Sequence, residues 1–425
     1  MYSQVTFYPN VHKLFQAKCG NCHIEDGIAP FRISTQEDVY SHLKIIREVV
    51  QTKYMPPWYV DESEVSYLNS LSLTEIEYNL MKQWYDDGCL VGDSTDQMNH
   101  LEKKEKLEAE KKYPYRDYTV FKGFNVPSSD SDRYLRVSLV GVEPTDPGEL
   151  ELIGIQFNPG NKNIVHHAEL YAVEQSVQND TLFMTSDYFF LEDQEAVMPS
   201  TGYRFISSWL PGQDIDYFPE GTIKTIDAQE SLVLLIHYAS FPQEEFDSTT
   251  VRFFMRPELS ESTPMQAQEL TVIDKNAWNP GRVFIRANEK DTITINHSLE
   301  PDSDLSIFAL HPHAHLLCTS MSARLITSMG DTTLLIDLPT WDFDWQHFYR
   351  FKQYIHAPAG SIIQFTATYD NTSRNPENPN SPPVDVYSSF RANDEMMVLF
   401  ILAKEYEKGD EFKTVSYPII PLQYE

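Results

Sequence analysis

The chain has 425 residues and a formal net charge of −30, from 33 basic and 63 acidic side chains. At roughly 100–200 residues per domain this length predicts two or three domains, and 41% apolar residues with 13% aromatics exclude wholesale disorder. The surplus of carboxylates excludes general binding to nucleic acid, whose phosphates need a basic face, and works against docking on an anionic membrane.

No run of about 18 apolar residues is present, so no membrane span is expected. Met1 is followed at once by the polar Tyr2-Ser3-Gln4 rather than by a leader. The motifs that follow belong outside the cytoplasm, so the expectation is a periplasmic or otherwise exported protein whose leader has been removed.

Near the start, Cys19-Gly20-Asn21-Cys22-His23 has the C-x-x-C-H spacing of c-type haem attachment. Two thiols one helical turn apart can add to the two vinyl groups of a porphyrin, and the next residue offers an imidazole to the iron. A redox dithiol or a zinc half-site shares the spacing. Short helices are predicted around it, at Val11–Cys19, Gln36–Thr52 and Leu73–Gly88. Thr74 with Glu77 forms a capping box at the start of the last helix, and Gly88 ends it. Met55, in Tyr54-Met55-Pro56-Pro57-Trp58, is the candidate second axial ligand, because a His/Met pair raises the potential and suits electron transfer. Core filling by Met55, or ligation by His42 or His12, stays open. Cys89 and Cys318 remain, as an inter-domain disulfide or as two buried free thiols.

Residues 101–112 are a charged run with Glu102/Lys106 and Glu108/Lys112 at i,i+4 spacing, read as a solvated helical connector within a 101–114 linker. From Tyr115 the texture changes to strand-like runs: Tyr134–Val142, Glu151–Phe157, Ile164–Tyr171, Leu232–Ala239, Thr250–Met255, Thr292–Ile295, Ser306–His311, Ser322–Ile326 and Ile362–Tyr369. Pro, Gly, Asn and Asp separate them, which predicts antiparallel sandwiches or jelly rolls. The span is long for one sandwich. Two are expected, at 115–260 and 261–425, parted in the polar stretch Pro257–Pro264.

The histidines cluster in these strands. His166 and His167 are adjacent, His237 sits in the apolar run Leu232–Tyr238, and His311, His313 and His315 alternate. Residues i and i+2 of a strand share a face, so His313 and His315 can reach one metal. His166 and His167 would diverge on a regular strand, so both binding one ion needs a bulge or the use of different ring nitrogens. Each histidine alone could be a satisfied core residue. Together they favour a metal, and imidazole sets without carboxylates suit copper, with zinc still possible.

The order His166-His167, His237-Tyr238, His313-Ala314-His315-Leu316 and Asp394-Glu395-Met396 resembles the type II copper, ascorbate-dependent monooxygenases, among them the peptidylglycine- and dopamine-hydroxylating enzymes. The stretches Trp341–Gln346 and Tyr369–Pro379 resemble bacterial relatives in which a haem-c domain with a Met-Pro-Pro-Trp loop precedes the copper domains. The resemblance implies a small all-α cytochrome c-like haem domain at 1–100, followed by two all-β jelly-roll sandwiches. It implies an electron-storing copper on His166, His167 and His237 in the first sandwich. It places the oxygen-activating copper on His313, His315 and Met396 in the second, with a solvent-filled cleft between. It also implies hydroxylation of a C–H bond of a small organic substrate with O2, with an external donor feeding the haem at Cys19, Cys22, His23 and Met55, and the haem feeding the coppers. Peptide-amidating relatives hold a substrate carboxylate with an Arg two residues before the first ligand His and with polar groups after the ligand Met. Here His311, Val398 and Phe400 stand there, so a C-terminal glycine peptide is not the expected substrate. His311 could be an extra ligand, an acid–base group or packing. The alternative class is a non-catalytic exported electron-transfer or copper-binding protein. A zinc hydrolase lacks an evident H-E-x-x-H glutamate.

Overall fold

The computed structural model describes residues 4–24, 29–93, 112–120, 123–129, 133–139, 150–174, 188–190, 203–213, 215–227, 229–257, 264–273, 283–388 and 393–418. Strands dominate it. Tyr115–Thr119, Thr250–Met255, Leu150–Asn158, Thr222–Ile226 and Met265–Gln266 form one sheet in that spatial order, with Ile215–Tyr217 also paired to Leu150–Asn158. A second sheet runs Tyr188–Phe190, Arg133–Leu139, Glu230–Tyr238, Val165–Glu174, Tyr203–Trp209. Leu152, Ile155, Leu170, Leu234, Ile236 and Phe253 fill the space between the two. Alternation of apolar residues along each strand puts these side chains on one face.

The C-terminal half repeats the arrangement. Gln268–Ile273, Val398–Glu405, Leu305–His313 and Tyr349–Ala357 make one sheet; Lys290–Ser298, Ile362–Asp370, Cys318–Ile326 and Thr332–Leu338 make the other. Exposed positions of Lys290–Ser298 alternate with half-buried ones, as expected for an outer strand, whereas Leu305–His313 is buried throughout. The two halves meet through a third apolar cluster that includes Tyr171, Phe205, Phe308, Phe348 and Phe400. Phe205 stacks on Phe400 at 4.7 Å, and Arg350 pairs with Asp216 across the same boundary.

The expected fold, a small all-α cytochrome c-like domain followed by two all-β jelly-roll sandwiches, is corrected to a mainly β chain of packed sheets. No all-α cytochrome c-like domain is evident among the described residues. Among the described residues of the first 93 are four helices, α1 Val11–Cys19, α2 Gln36–Ser41, α3 Leu43–Gln51 and α4 Glu75–Asp86. The helix expected over 36–52 breaks at His42. Capping boxes open α2 (Thr35, Asp38) and α4 (Thr74, Glu77). The helices share a core around Phe7, Phe15, Val39 and Trp84, but the backbone between α3 and α4 finds its partners elsewhere. Trp58, Val60 and Tyr67 belong to the core of the C-terminal sheets. The Tyr67 hydroxyl donates to Leu335 O at 2.8 Å, and Asp61 N–H to Asp337 O at 2.8 Å. A buried backbone must pair its polar groups, and Asp61 and Leu68 of this irregular stretch pair theirs with Asp337 and Arg350 of the C-terminal strands.

Cys89 and Cys318 are free thiols in separate clusters, Cys89 beside the helices and Cys318 in the C-terminal core. Residues 101–111 and 258–263, which hold the expected connector and domain boundary, lie outside the described residues. No helix among those described is long and apolar enough to cross a membrane.

Candidate metal centres

His167 and His237 face each other as a pair across neighbouring strands Val165–Glu174 and Glu230–Tyr238, and the register then shifts so that Tyr238 pairs with Val165. His166 is the residue left over at that irregularity. The bulge turns its ring toward His167 instead of away, as the sequence requires if both are to bind one ion. One ring nitrogen from each of His166, His167 and His237 falls within 4.8 Å of the others. The His167 Nδ1 lies 3.1 Å from the His166 Nδ1 and 3.2 Å from the His237 Nδ1. Each neutral imidazole has one lone-pair nitrogen to offer, and a shared cation is a partner that can take all three at once. Burial, then the neighbouring imidazoles, hold His167 well below the usual histidine range, so the neutral, metal-binding form is favoured. Tyr134, opposite His237 in the next strand, stacks on its ring at 4.3 Å.

The second set is built differently. His313 is the last residue of its strand, and His315 lies past the strand's end, so the two are not strand neighbours as the alternation predicted. Their rings still come within 5.2 Å, at 85° to each other. The His313 Nδ1 meets Gln346 Oε1, and the His315 Nδ1–H donates to Asp394 O at 3.1 Å. Each ring thus has its Nδ1 engaged, which makes Nε2 the nitrogen that would bind a metal. Burial lowers His313 to about 4. Met396 precedes the strand Val398–Glu405, whose Val398 pairs with His313. It is half-buried toward the boundary between the two halves, whereas Met397 is buried in the C-terminal core. His311 donates from Nδ1 to His347 O at 3.1 Å and stacks between Phe348 (4.7 Å) and Phe400 (5.7 Å). Burial pushes it down to about 3.

The two sets adjoin. The His167 and His313 ring centroids are 6.3 Å apart, so these rings are in near contact where a solvent-filled cleft was expected. One segment, Trp341–His347, touches both sets. Phe343 stacks on His166 at 5.0 Å and lies edge-on to His315 at 5.9 Å. Asp344 Oδ1 approaches the His166 Nε2 at 3.5 Å, and Trp341 Nε1–H donates to His315 O at 3.2 Å. An open cavity of about 190 Å3 reaches His166 between Lys162, Pro211, Asp344 and Trp345.

At the front of the chain, the Cys22 and His23 N–H groups both donate to Cys19 O (3.2 and 3.0 Å), a turn that carries both thiols. Burial pushes Cys19 up to about 12 and Cys22 up to about 11. The His23 Nδ1–H donates to Phe31 O at 2.7 Å. Phe31 also stacks on His42 at 4.0 Å. Met55, half-buried, follows α3, its N–H donating to Val49 O at 3.1 Å. His12 is buried in α1.

Residues 270–408 match the family model described as copper type II ascorbate-dependent monooxygenase, C-terminal domain. This stretch is similar to that family, whose description is of copper-dependent, ascorbate-dependent monooxygenation. The matched stretch contains His313, His315 and Met396, while His166, His167, His237 and the haem-type motif precede it. No curated protein matches the chain. Among solved structures, the VP2 subviral particle of infectious bursal disease virus is 12% identical, with 71% of this chain and 75% of that one covered at a TM-score of 0.20. PNGF-II is 8% identical over 69% and 66% at 0.29. The major capsid protein P2 of bacteriophage PM2 is 7% identical over 70% and 99% at 0.26.

Of the six donors named from the sequence, the structure brings His166, His167 and His237 together and sets His313 beside His315; the residues that hold them were missed. Gln346, Phe343 and Asp344 sit in the Trp-Asp-Phe-Asp-Trp-Gln stretch, visible beforehand only as a resemblance. Tyr134 carried one signal, its place opposite His237 if the two strands pair.

Proposed function

We propose that the chain is an exported copper-dependent monooxygenase that hydroxylates a C–H bond of a small organic substrate with O2. In this reading His166, His167 and His237 hold one copper and His313, His315 and Met396 the other. One observation carries it: three imidazole nitrogens converge within 4.8 Å and stand against His313 of a domain that matches the copper monooxygenases. Copper supplies one-electron storage and oxygen activation when bound. Three imidazoles accept both copper oxidation states, and a thioether favours the reduced one.

The protein's own part is to keep the donors neutral and dry. His167 and His313 are held unprotonated by burial, and Gln346 and Asp394 fix the ring orientations. Phe348 and Phe400 flank His311 where a carboxylate clamp would need a cation, which supports an uncharged or apolar substrate.

Cys19, Cys22 and His23 fit a covalent haem. The two thiols are unpaired and share one turn, and the His23 Nδ1 is tied to a carbonyl, which leaves Nε2 for iron. Met55 is the expected second axial ligand. A haem held there would supply one-electron transfer from an external donor, and Cys22 lies against Gly212 in the first β half, near the His166 side.

A second reading, a non-catalytic exported electron-transfer or copper-binding protein, is favoured by Phe343, whose ring stands between the two donor sets. Copper and iron content, with reductant-dependent O2 uptake scored against hydroxylated product, separates the two. Two coppers per chain and one product per O2 are expected. Bound copper with no product formed would establish the second reading, and absence of copper would overturn both.

A further inference from the structure

We infer that Glu395 is the positioning residue that couples His315 to Met396 and so assembles the sulfur-bearing copper site; this rests on the copper reading above. The sheet itself cannot do it. His313 with Val398 is the last ladder pair between the two strands, and both His315 and Met396 lie beyond it. Past that pair a single carboxylate takes the place of the ladder. Glu395 is fully buried. Its Oε2 accepts from the His315 N–H at 3.0 Å and the Met396 N–H at 3.1 Å, and its Oε1 accepts from the Leu317 N–H at 2.6 Å. The preceding residue, Asp394, accepts from the His315 ring. The Tyr369 hydroxyl donates to Met396 O at 2.9 Å and steadies the same segment. Backbone N–H groups at a chain reversal need acceptors, and the Glu395 carboxyl group places two acceptor oxygens at this one spot, where an amide places one. An amide would present an NH2 to at least one of the three N–H groups.

The test loads wild-type, Glu395→Gln and Tyr369→Phe proteins with Cu(I) under anaerobic conditions. Copper per chain is measured, and copper–sulfur scattering is read by X-ray absorption. Wild type is expected to hold two coppers with a sulfur contribution. In Glu395→Gln the sulfur contribution is lost and affinity at that site falls about 10–100-fold, the usual effect of removing a group that orients a ligand. The all-His site keeps its copper and reports that the fold is intact. Tyr369→Phe weakens the same site by a smaller factor. Glu395→Gln with wild-type affinity and sulfur scattering overturns the assignment. If Glu395→Gln loses both coppers by unfolding, Tyr369→Phe decides: selective weakening supports the assignment, and an unchanged site overturns it. A wild type without sulfur scattering would instead sink the copper reading, a failure visible before any variant is compared.

Discussion

His167 and His237 are hydrogen-bonded strand neighbours, and the third member of their set, His166, is delivered by a bulge in the same strand. His315 and Met396 lie beyond the end of their ladder and reach one another through side chains, one of them 80 residues away in sequence. A donor set carried on a sheet inherits the sheet's rigidity. A set assembled at strand ends depends on every tie made to it. The first therefore tolerates change around it, and the second does not.

Four measurements break or sharpen that contrast. The largest effect is expected from His167→Ala, which removes the nitrogen on which the first set converges. Copper should fall from two per chain to one, with copper–sulfur scattering retained; loss of both would show that the sets are not separable. Next, Tyr67→Ala strips a buried ring that packs on Tyr349 and Phe351, in the strand beside Leu305–His313. It should cost about 3–5 kcal/mol in denaturant unfolding and weaken the sulfur-bearing set before the all-His set. Gln346→Ala frees the His313 Nδ1 and should weaken copper there about 10-fold while leaving the first set unchanged, read by competition with a Cu(I) chelator.

The one effect confined to acid pH is at His347, whose enclosed Nε2 has no hydrogen-bond partner among the described residues. Burial, then Arg350, lowers this histidine to about 4. As pH falls the unfolded chain takes up the proton first, so the native state is fully favoured above about 6.5 and loses stability down to the folded value. At pH 5 the copper-free wild type should have lost roughly 2 kcal/mol relative to His347→Phe. Parallel unfolding curves at pH 7 and 5 would refute this.

The legibility of the chain follows the same division. Strand periodicity and turn residues located nine of the described strands but passed over others as long, such as Tyr349–Ala357 and Val398–Glu405; the imidazoles of the first set stood out because a histidine in an apolar strand needs a partner. The adjacency of His166 and His167 left a bulge and the use of different ring nitrogens both open, and the register shift supplies the bulge. The ties of the second set were hidden, since Glu395 and Gln346 act over 80 and 33 residues of sequence and local pattern carries no such information. The all-α front domain failed for a related reason. The helices lay near where caps and periodicity put them, one of them broken at His42, but nothing local told Trp58 and Tyr67 that they would share a core with Leu335 and Phe351.

That docking has a consequence for how the molecule is made. Tyr67 leaves the ribosome 268 residues before the carbonyl it will bond, so the middle of the front segment must stay unsatisfied until almost the whole polypeptide exists. Such distant closures are slow and leave greasy surface exposed while they wait. Maturation of this protein should therefore depend on helpers that shield the early segment during synthesis, and on completion of the last strands before any cofactor is committed.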